Sequence, residues 1–293
     1  MSILVIGKTG QLARALDREL AGQNATFLDR AAFDLSADPD VLRSVLDAGE
    51  IPTVIINAAA YTAVDAAEED ETTAYDVNSR APKVLAQYCL EHEIPLIHVS
   101  TDYVFNGKKR MPYLPTDKVD PLGVYGSTKL AGEEYILHSG CKGAILRTSW
   151  VYDGYGKNFL TTMLRLAQSR TELRVVEDQI GRPTYTGDLA KACLTAAKHS
   201  QKAGDSARVY HVSNTGIPTS WAGFAKSIFE TAAEHLPHEM DVTGIPSHEY
   251  PTPAKRPSFS VMDCSDFERD MNVILRDWTA GMEDAITEWT TQK

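Results

Sequence analysis

Short apolar runs alternate with stretches of helical period along the first half of the chain. The runs are almost entirely apolar, which is typical of parallel strands buried on both faces; they cover residues 3–6, 25–28, 53–57, 95–100 and 144–149. After the first run, Leu12, Leu16 and Leu20 recur every four residues, as in an amphipathic helix. The alternation predicts an α/β fold, a doubly wound parallel sheet with helices on both faces.

The regular alternation ends near Trp150, where we expect a change of architecture. The elements predicted beyond it are helices at 158–168, from 188, from Ser220 to about 235 and at 276–290, and a strand at 209–213. We therefore predict a dinucleotide-binding domain over 1–150 and a smaller C-terminal substrate-binding lobe over 151–183 and 214–293. Residues 184–213 are expected to return to the first domain.

Composition narrows the classes of function. The 293 residues are 43% hydrophobic and 24% charged, which is ordinary for a globular protein of about two domains. The net charge of −11 argues against nucleic acid as a partner. The apolar run at the N-terminus is too short for a signal peptide or a membrane span, and the four cysteines are too far apart for a zinc or redox motif. We expect a cytoplasmic protein with no membrane partner.

A glycine motif directly follows the first predicted strand. Gly7 permits a tight turn, Gly10 lets backbone approach a pyrophosphate, and Ala13 lets the next helix pack closely against the strand. The N-terminus of that helix, at Gln11 and Leu12, would then face the phosphates. In this context the motif predicts a Rossmann-type dinucleotide site.

The second and third strands end in residues that suit the same ligand. Asp29 can accept hydrogen bonds from the adenosine ribose, the arrangement for NAD, whereas Arg30 could pair with the 2′-phosphate of NADP. The residues alone leave this choice open. The small side chains of Ala58, Ala59 and Ala60 would let backbone lie against a nucleotide.

A tyrosine and a lysine lie one helical turn apart in the segment Tyr125-Gly126-Ser127-Thr128-Lys129. A neighbouring cation favours the phenolate, so Lys129 would lower the pKa of Tyr125 and prepare it for proton transfer. The spacing alone is weak support, but Thr101 ends the preceding strand at the sheet edge where such folds bind ligands. The three side chains together predict a reductase site. His98, inside the same strand, is interpreted as a core histidine without a catalytic role.

Seven segments extend these motifs into a resemblance: GKTGQL, NAAAYTAVDAAE, STDYVFNG, VYGSTKLAGE, LRTSWVY, GRPTYTGDLA and RPSFSVMD, between residue 7 and residue 263. They resemble the extended short-chain dehydrogenase/reductase superfamily and, within it, the dTDP-4-dehydrorhamnose reductase family. The resemblance implies hydride transfer from NADPH, or alternatively NADH, to the 4-keto group of dTDP-6-deoxy-L-lyxo-4-hexulose. The product would be dTDP-L-rhamnose, formed in the last step of dTDP-rhamnose biosynthesis.

The resemblance also assigns roles to individual residues. Tyr125 would donate the proton, Lys129 would lower its pKa and hold the nicotinamide ribose, and Thr101 would bond the reacting oxygen. The substrate would be lined by Asp102, Tyr103, Trp150 and Arg256, although Tyr103 and Trp150 could equally be core aromatic residues. The cofactor-binding set includes Tyr125 and Lys129 and is completed by Gly7, Gly10, Gln11, Leu12, Asp29, Arg30, Asp34, Leu35, Ala58, Ala59, Ala60 and Val99.

The chain departs from the family pattern at one point. Some members carry a glutamate two residues after the third motif glycine, where it helps to bind magnesium between subunits, but this chain has Ala13 and Ala15. We therefore predict no bound metal and expect a monomer or a homodimer. The alternative functions are another nucleotide-sugar reductase or epimerase, and a non-catalytic NADP-binding subunit like that of methionine adenosyltransferase.

Overall fold

The computed structural model describes residues 1–203 and 205–292; Lys293, the last residue of the predicted lobe, lies outside the described part. Its strands are β1 (Ile3–Ile6), β2 (Ala25–Leu28), β3 (Val54–Asn57), β4 (Leu96–Thr101), β5 (Gly143–Thr148), β6 (Val151–Tyr152), β7 (Glu172–Val176), β8 (Ile180–Gly181), β9 (Thr184–Tyr185), β10 (Arg208–His211), β11 (Thr219–Ser220) and β12 (Asp241–Ile245). Its α-helices are α1 (Gln11–Glu19), α2 (Pro39–Ala48), α3 (Val64–Ala67), α4 (Glu71–Tyr75), α5 (Ala81–Glu91), α6 (Val124–Ser139), α7 (Phe159–Leu166), α8 (Thr186–Ala203), α9 (Trp221–Thr231), α10 (Ser265–Met271) and α11 (Trp278–Thr290).

A six-stranded parallel sheet forms the centre of the molecule. Its strand order is β2-β1-β3-β4-β5-β10, which confirms the predicted doubly wound, Rossmann-type sheet. The five predicted strands of the first half occur within one residue of their expected bounds. Because all six strands run the same way, their carboxyl ends meet at one edge of the sheet.

Helices cover both faces of this sheet. Ile3 and Val5 of β1 pack towards α1 and α8, whereas Ile6 belongs to the cluster formed with α2 and α5. This alternation follows from the two-residue period of a strand, and it explains why β1 is apolar at every position.

A third apolar cluster is formed by residues that follow β5 in the chain. It joins α7, α9 and α11 to the parallel strand pair β7–β12. The sequence patterns did not predict that pair. Two helix starts in this region are fixed by side-chain caps: Asn158 accepts from the amide of Thr161, and Ser220 accepts from the amide of Gly223.

The predicted return of residues 184–213 to the first domain agrees with where two elements lie. α8 packs in the cluster beside α1, and β10 forms the sixth strand of the sheet. α10 differs from the expectation for 214–293, because its Phe267 and Met271 pack in that same cluster. The division into two functional domains itself stays a prediction.

One helical segment contains a wide turn. Residues Asp76–Arg80 form a π-helical turn that leads into α5. Its Asn78 donates to the carbonyl of Tyr61 and to Thr128 Oγ1, at 3.1 and 3.2 Å. The turn therefore fixes the segment after β3 against α6. Among the described residues, no helix is both long enough and apolar enough to cross a bilayer.

Candidate active site

A cavity of about 690 Å³ opens at the carboxyl edge of the sheet, between the central sheet and the C-terminal cluster. Its size is typical of small-molecule sites. It brings together every residue of the predicted site except Arg256: Gly7, Gly10, Gln11, Leu12, Asp29, Arg30, Asp34, Leu35, Ala58, Ala59, Ala60, Val99, Thr101, Asp102, Tyr103, Tyr125, Lys129 and Trp150.

The glycine loop forms one end of this cavity. Gly7 has φ of +112°, which side chains rarely tolerate, and a Cβ there would meet Ala58 and Ala59 at 3.5 Å. Gly10 precedes α1, and a Cβ on it would meet no atom within 4 Å. No side chain caps the N-terminus of α1, so its first amides are left for a ligand such as a pyrophosphate. Gln11 Oε1 is buried there without a hydrogen-bond partner.

Asp29 and Arg30, the two residues that suggest different coenzymes, directly follow β2. Asp29 accepts from the amide of Ala32 at 3.0 Å, so its carboxylate already stabilises the turn. The Arg30 side chain is 79% exposed and reaches Asp34 at 3.4 Å. An exposed pair of this kind is weak, so Arg30 remains free to bind an added anion.

Tyr125 lies in the first turn of α6, and two contacts fix that turn. Glu68 accepts from the amide of Val124 at 2.9 Å, and Gly126 lies so close to the carbonyl of Tyr103 that a Cβ would meet it at 2.3 Å. Thr101 and Tyr125 both line the cavity there. Sequence and packing together thus place the phenol at the cavity wall.

The expected lowering of the Tyr125 pKa is not found. Desolvation by the surrounding protein disfavours the phenolate and raises the pKa of Tyr125 to about 12, although Thr101 opposes this rise. The carboxyl of Asp102 adds to the rise, and Lys129 is not among the groups that oppose it. Tyr125 therefore stays protonated at neutral pH, which is the form that a proton donor needs.

Lys129 is almost completely buried, with 1% of its surface exposed. Its Nζ donates to the carbonyl of Val99 at 2.7 Å and lies 3.2 Å from Nε2 of His98. Burial lowers the pKa of Lys129 to about 8, even though the nearby Glu133 opposes the shift. Lys129 is thus mainly cationic at neutral pH, although its pKa lies closer to neutrality than that of an exposed lysine.

Asp102 and Tyr103 follow Thr101 at the end of β4. Asp102 is buried, and this burial raises the pKa of its carboxyl to about 6. Its Oδ1 accepts from Thr101 at 3.1 Å, whereas its buried Oδ2 has no hydrogen-bond partner in the structure. The Tyr103 ring meets the Tyr125 ring edge to face, with centroids 5.4 Å apart.

Trp150 is held in an unusual backbone conformation, with φ of +49°. Its ring stacks on Trp221 with centroids 3.6 Å apart and planes 6° apart. Gly181 lies against the same ring, because a Cβ there would meet it at 2.6 Å. Trp150 is thus a rigid wall of the cavity, and no sequence motif indicates its partner Trp221.

Arg256 does not line the cavity. Its Nη2 pairs with Asp65 Oδ2 at 2.8 Å, and the carboxylate of Asp65 also accepts from the amide of Ala254. Arg256 therefore ties the segment after β3 to the Pro-rich segment, and its predicted place on the substrate side stays a prediction. Lys255 beside it is exposed.

Lys157 and Thr148 are among the cavity residues that the sequence analysis did not assign to the site. Lys157, in the loop before α7, brings a cation to the wall, and no motif marks it. Thr148, the last residue of β5, contributes a buried hydroxyl without a hydrogen-bond partner. Its position at the end of a parallel strand, where such folds bind ligands, could have indicated that Thr148 belongs to the site.

Comparison with known proteins gives one consistent answer. The family model described as RmlD substrate binding domain matches residues 1–291. The dTDP-4-dehydrorhamnose reductase of Sinorhizobium fredii is 41% identical over 281 residues, covering 95% of this chain and 94% of the relative. The enzyme of that name from Escherichia coli is 39% identical over 301 residues, covering 99% of each chain.

Solved structures agree with this result. The dTDP-4-dehydrorhamnose reductase of Clostridium acetobutylicum superposes with a TM-score of 0.90 at 34% identity over the whole of both chains. That of Bacillus anthracis, in complex with NADP, gives 0.89 at 33% identity, covering 98% of this chain and all of the other. A UDP-glucose 4-epimerase at 19% identity, with a TM-score of 0.80, shares the fold. By sequence and by structure, the chain belongs to the dTDP-4-dehydrorhamnose reductase family.

Proposed function

We propose that the protein is an NADPH-dependent reductase that converts the 4-keto group of dTDP-6-deoxy-L-lyxo-4-hexulose to the hydroxyl of dTDP-L-rhamnose. The observation that carries this proposal is the joint placement of Tyr125, Thr101 and Lys129 at a cavity whose other end is the glycine loop. Such a cavity suits hydride transfer to a carbonyl. The family supplies the identity of the keto sugar.

The residues at the glycine loop fit a dinucleotide. The open space beside Gly10, the free amides of α1 and the unpartnered Gln11 oxygen together form a polar cradle. We assign the pyrophosphate to this loop, the adenosine ribose to Asp29 and Arg30, and the adenine side to Asp34 and Leu35. Ala58, Ala59, Ala60 and Val99 would form the wall along the nucleotide.

Bound NADPH supplies the hydride for the substrate C4 carbon. Tyr125 then gives its proton to the carbonyl oxygen, because the phenol is protonated at neutral pH. Thr101 would hold the same oxygen by a second hydrogen bond, and Lys129 would stabilise the phenolate left on Tyr125 and hold the nicotinamide ribose. The hydride and the proton together convert the ketone to an alcohol.

The sugar would lie against Asp102, Tyr103 and Trp150. Asp102 lines this part of the cavity, and Trp150 presents an apolar surface to the pyranose. Arg256 would act on this side indirectly, by holding the Pro-rich segment next to Tyr103.

Turnover by the purified chain tests the proposal. We expect stoichiometric oxidation of NADPH when the dTDP-keto-deoxyhexose is added, with formation of dTDP-L-rhamnose. An epimerase would regenerate its cofactor, and a regulatory subunit would bind NADP without consuming it. Failure to oxidise NADPH with the dTDP-linked substrate, or equal rates with a GDP-linked analogue, would contradict the proposed substrate.

The exposed Arg30 should determine the choice of coenzyme. A charge-assisted bond to a phosphate contributes about 1.5–3 kcal/mol, so Arg30→Ala is expected to lower kcat/KM for NADPH by about 10–100-fold. The value for NADH should change less than about threefold. Arg43→Ala, which removes a surface arginine paired with Asp47 outside the cavity, is the matched control. A parallel loss with both coenzymes would show that Arg30 does not bind the 2′-phosphate.

We further propose that the enzyme works in the cytoplasm as a monomer or homodimer without a bound metal. The four cysteines are all buried and unpaired, as a reducing compartment allows. Sedimentation of the purified chain with and without magnesium tests the state of assembly.

A further inference from the structure

Lys157 adds a cation to the wall of the cavity that no side chain neutralises. It lies in the loop between β6 and α7, it is exposed, and it lines the cavity. Among residues 1–203 and 205–292, none forms an ion pair or a hydrogen bond with its side chain. Lys8 of the glycine loop lines the same cavity. In a chain with a net charge of −11, two such lysines at one cavity indicate an anionic ligand.

Side-chain hydrogen bonds fix the shape of the loop that carries Lys157. The Asn158 side chain donates to the carbonyl of Asp153 and to its Oδ1, both at 2.9 Å. Thr161 Oγ1 donates to the carbonyl of Gly156 at 3.0 Å. Because the backbone on both sides of Lys157 is held in this way, a ligand would have to order only the lysine side chain.

Arg14 of α1 attaches this loop to the glycine loop. Its Nη1 donates to the carbonyl of Thr9 at 2.9 Å, and its Nη2 pairs with the buried Oδ2 of Asp153 at 3.2 Å. Gly156 lies against the same guanidinium, because a Cβ there would meet Nη2 at 3.1 Å. The residue before Lys157 is thus separated from the glycine loop by one side chain, which places Lys157 at the end of the cavity assigned to the coenzyme.

The acidic groups around the loop are already paired. Asp153 pairs with Arg14. Glu288 of α11, which accepts from the loop amide after Asp153, pairs with Arg18 at 3.1 Å. Each of these carboxylates is therefore engaged by an arginine, and the charge of Lys157 stays available to a ligand.

We propose that Lys157 binds the pyrophosphate of the coenzyme together with the N-terminus of α1, and that Arg14 holds the loop that presents it. The inference rests on the proposed coenzyme site. A dTDP-sugar also carries a diphosphate, but the attachment through Arg14 to the glycine loop favours the coenzyme. Because NAD and NADP share the pyrophosphate, Lys157 would contribute equally to both, whereas Arg30 is assigned to the 2′-phosphate of NADP alone.

Calorimetric titration with coenzyme fragments tests the role of Lys157 without turnover. Lys157→Met removes the charge and keeps an apolar stem. We expect it to raise the Kd for ADP-ribose and for 2′-phospho-ADP-ribose by about tenfold, since both probes contain the pyrophosphate. The Kd for adenosine 2′-phosphate, which lacks it, should change less than about twofold. Lys157→Arg keeps the cation and should recover most of the affinity.

Two comparisons make this test specific. Titration with dTDP distinguishes the other source of a diphosphate, and its Kd should stay within about twofold in Lys157→Met. Lys198→Met is the matched control, because Lys198 is an exposed lysine of α8 outside the cavity and its loss changes the net charge equally. Unchanged binding of ADP-ribose in Lys157→Met, a loss confined to dTDP, or an equal loss in Lys198→Met would overturn the inference. Failure of the unaltered protein to bind either ADP-ribose probe would overturn the coenzyme site itself and the inference with it.

A double-mutant cycle tests the part played by Arg14. Arg14→Gln releases the loop from the carbonyl of Thr9 and from Asp153, so it should weaken the binding of ADP-ribose several-fold. In the Lys157→Met background the same substitution should have a much smaller effect, because both residues act on one contact. Losses that add in full would contradict the proposal that Arg14 places Lys157.

Discussion

Tyr125→Phe is expected to lower kcat by about 10²–10⁴-fold, the usual contribution of a positioned general acid. The substitution removes the phenol hydroxyl and leaves the ring that packs against Tyr103. The affinity for NADPH should change less than about threefold, because the glycine loop and the end of β2 lie apart from the phenol. Steady-state kinetics and coenzyme titration measure the two quantities separately.

Tyr135→Phe provides the control on the same helix. Its hydroxyl bonds that of Tyr75 at 2.8 Å outside the cavity, so its loss should leave kcat nearly unchanged. A wild-type kcat in Tyr125→Phe would show that Tyr125 is not the proton donor. An equal loss in both variants would indicate a general defect in α6.

Glu133→Ala is expected to lower the free energy of unfolding by about 3–5 kcal/mol, the usual cost of removing one partner of a buried ion pair. Glu133 and Arg147 have exposed side-chain fractions of 0% and 4%, and their closest atoms are 2.6 Å apart. Ser100 on β4 also donates to Glu133, at 2.5 Å. The substitution would leave the Arg147 guanidinium buried without its carboxylate and would release α6 from two strands.

Urea unfolding measures this loss, with Glu134→Ala as the control. Glu134 is the exposed neighbour of Glu133 on α6, so its substitution should change stability by less than about 0.5 kcal/mol. A loss below about 1 kcal/mol for Glu133→Ala would show that the ion pair does not hold α6 against the sheet.

The sequence predicted the central sheet and the coenzyme end of the site because both depend on local patterns. β1 is apolar at every position because helices cover both of its faces. Such an apolar run can be recognised from a few neighbouring residues alone. The glycine loop is equally local: Gly7 and Gly10 are needed by the turn in which they lie. Tyr125 and Lys129 share a helix, so their spacing already placed them on one face.

The features that the sequence did not reveal depend on residues far apart in the chain. The strands β7 and β12 are joined only by long-range pairing between Glu172–Val176 and Asp241–Ile245. The ion pair of Arg256 could not be predicted because its partner, Asp65, lies 191 positions away. The contact between His98 and Lys129 requires the register of β4 against α6, which no local pattern specifies. The pKa of Tyr125 is likewise set by burial and by Asp102, which no local pattern reveals.

The parallel indoles of Trp150 and Trp221 give the protein an optical reporter of its own. Two rings that lie face to face at van der Waals distance couple their electronic transitions, and the near-ultraviolet circular dichroism of such a pair depends steeply on their mutual angle. A sugar that settles against Trp150 would alter that angle or its surroundings. Arrival of the substrate could therefore be followed spectroscopically in the unlabelled protein, before any hydride has moved.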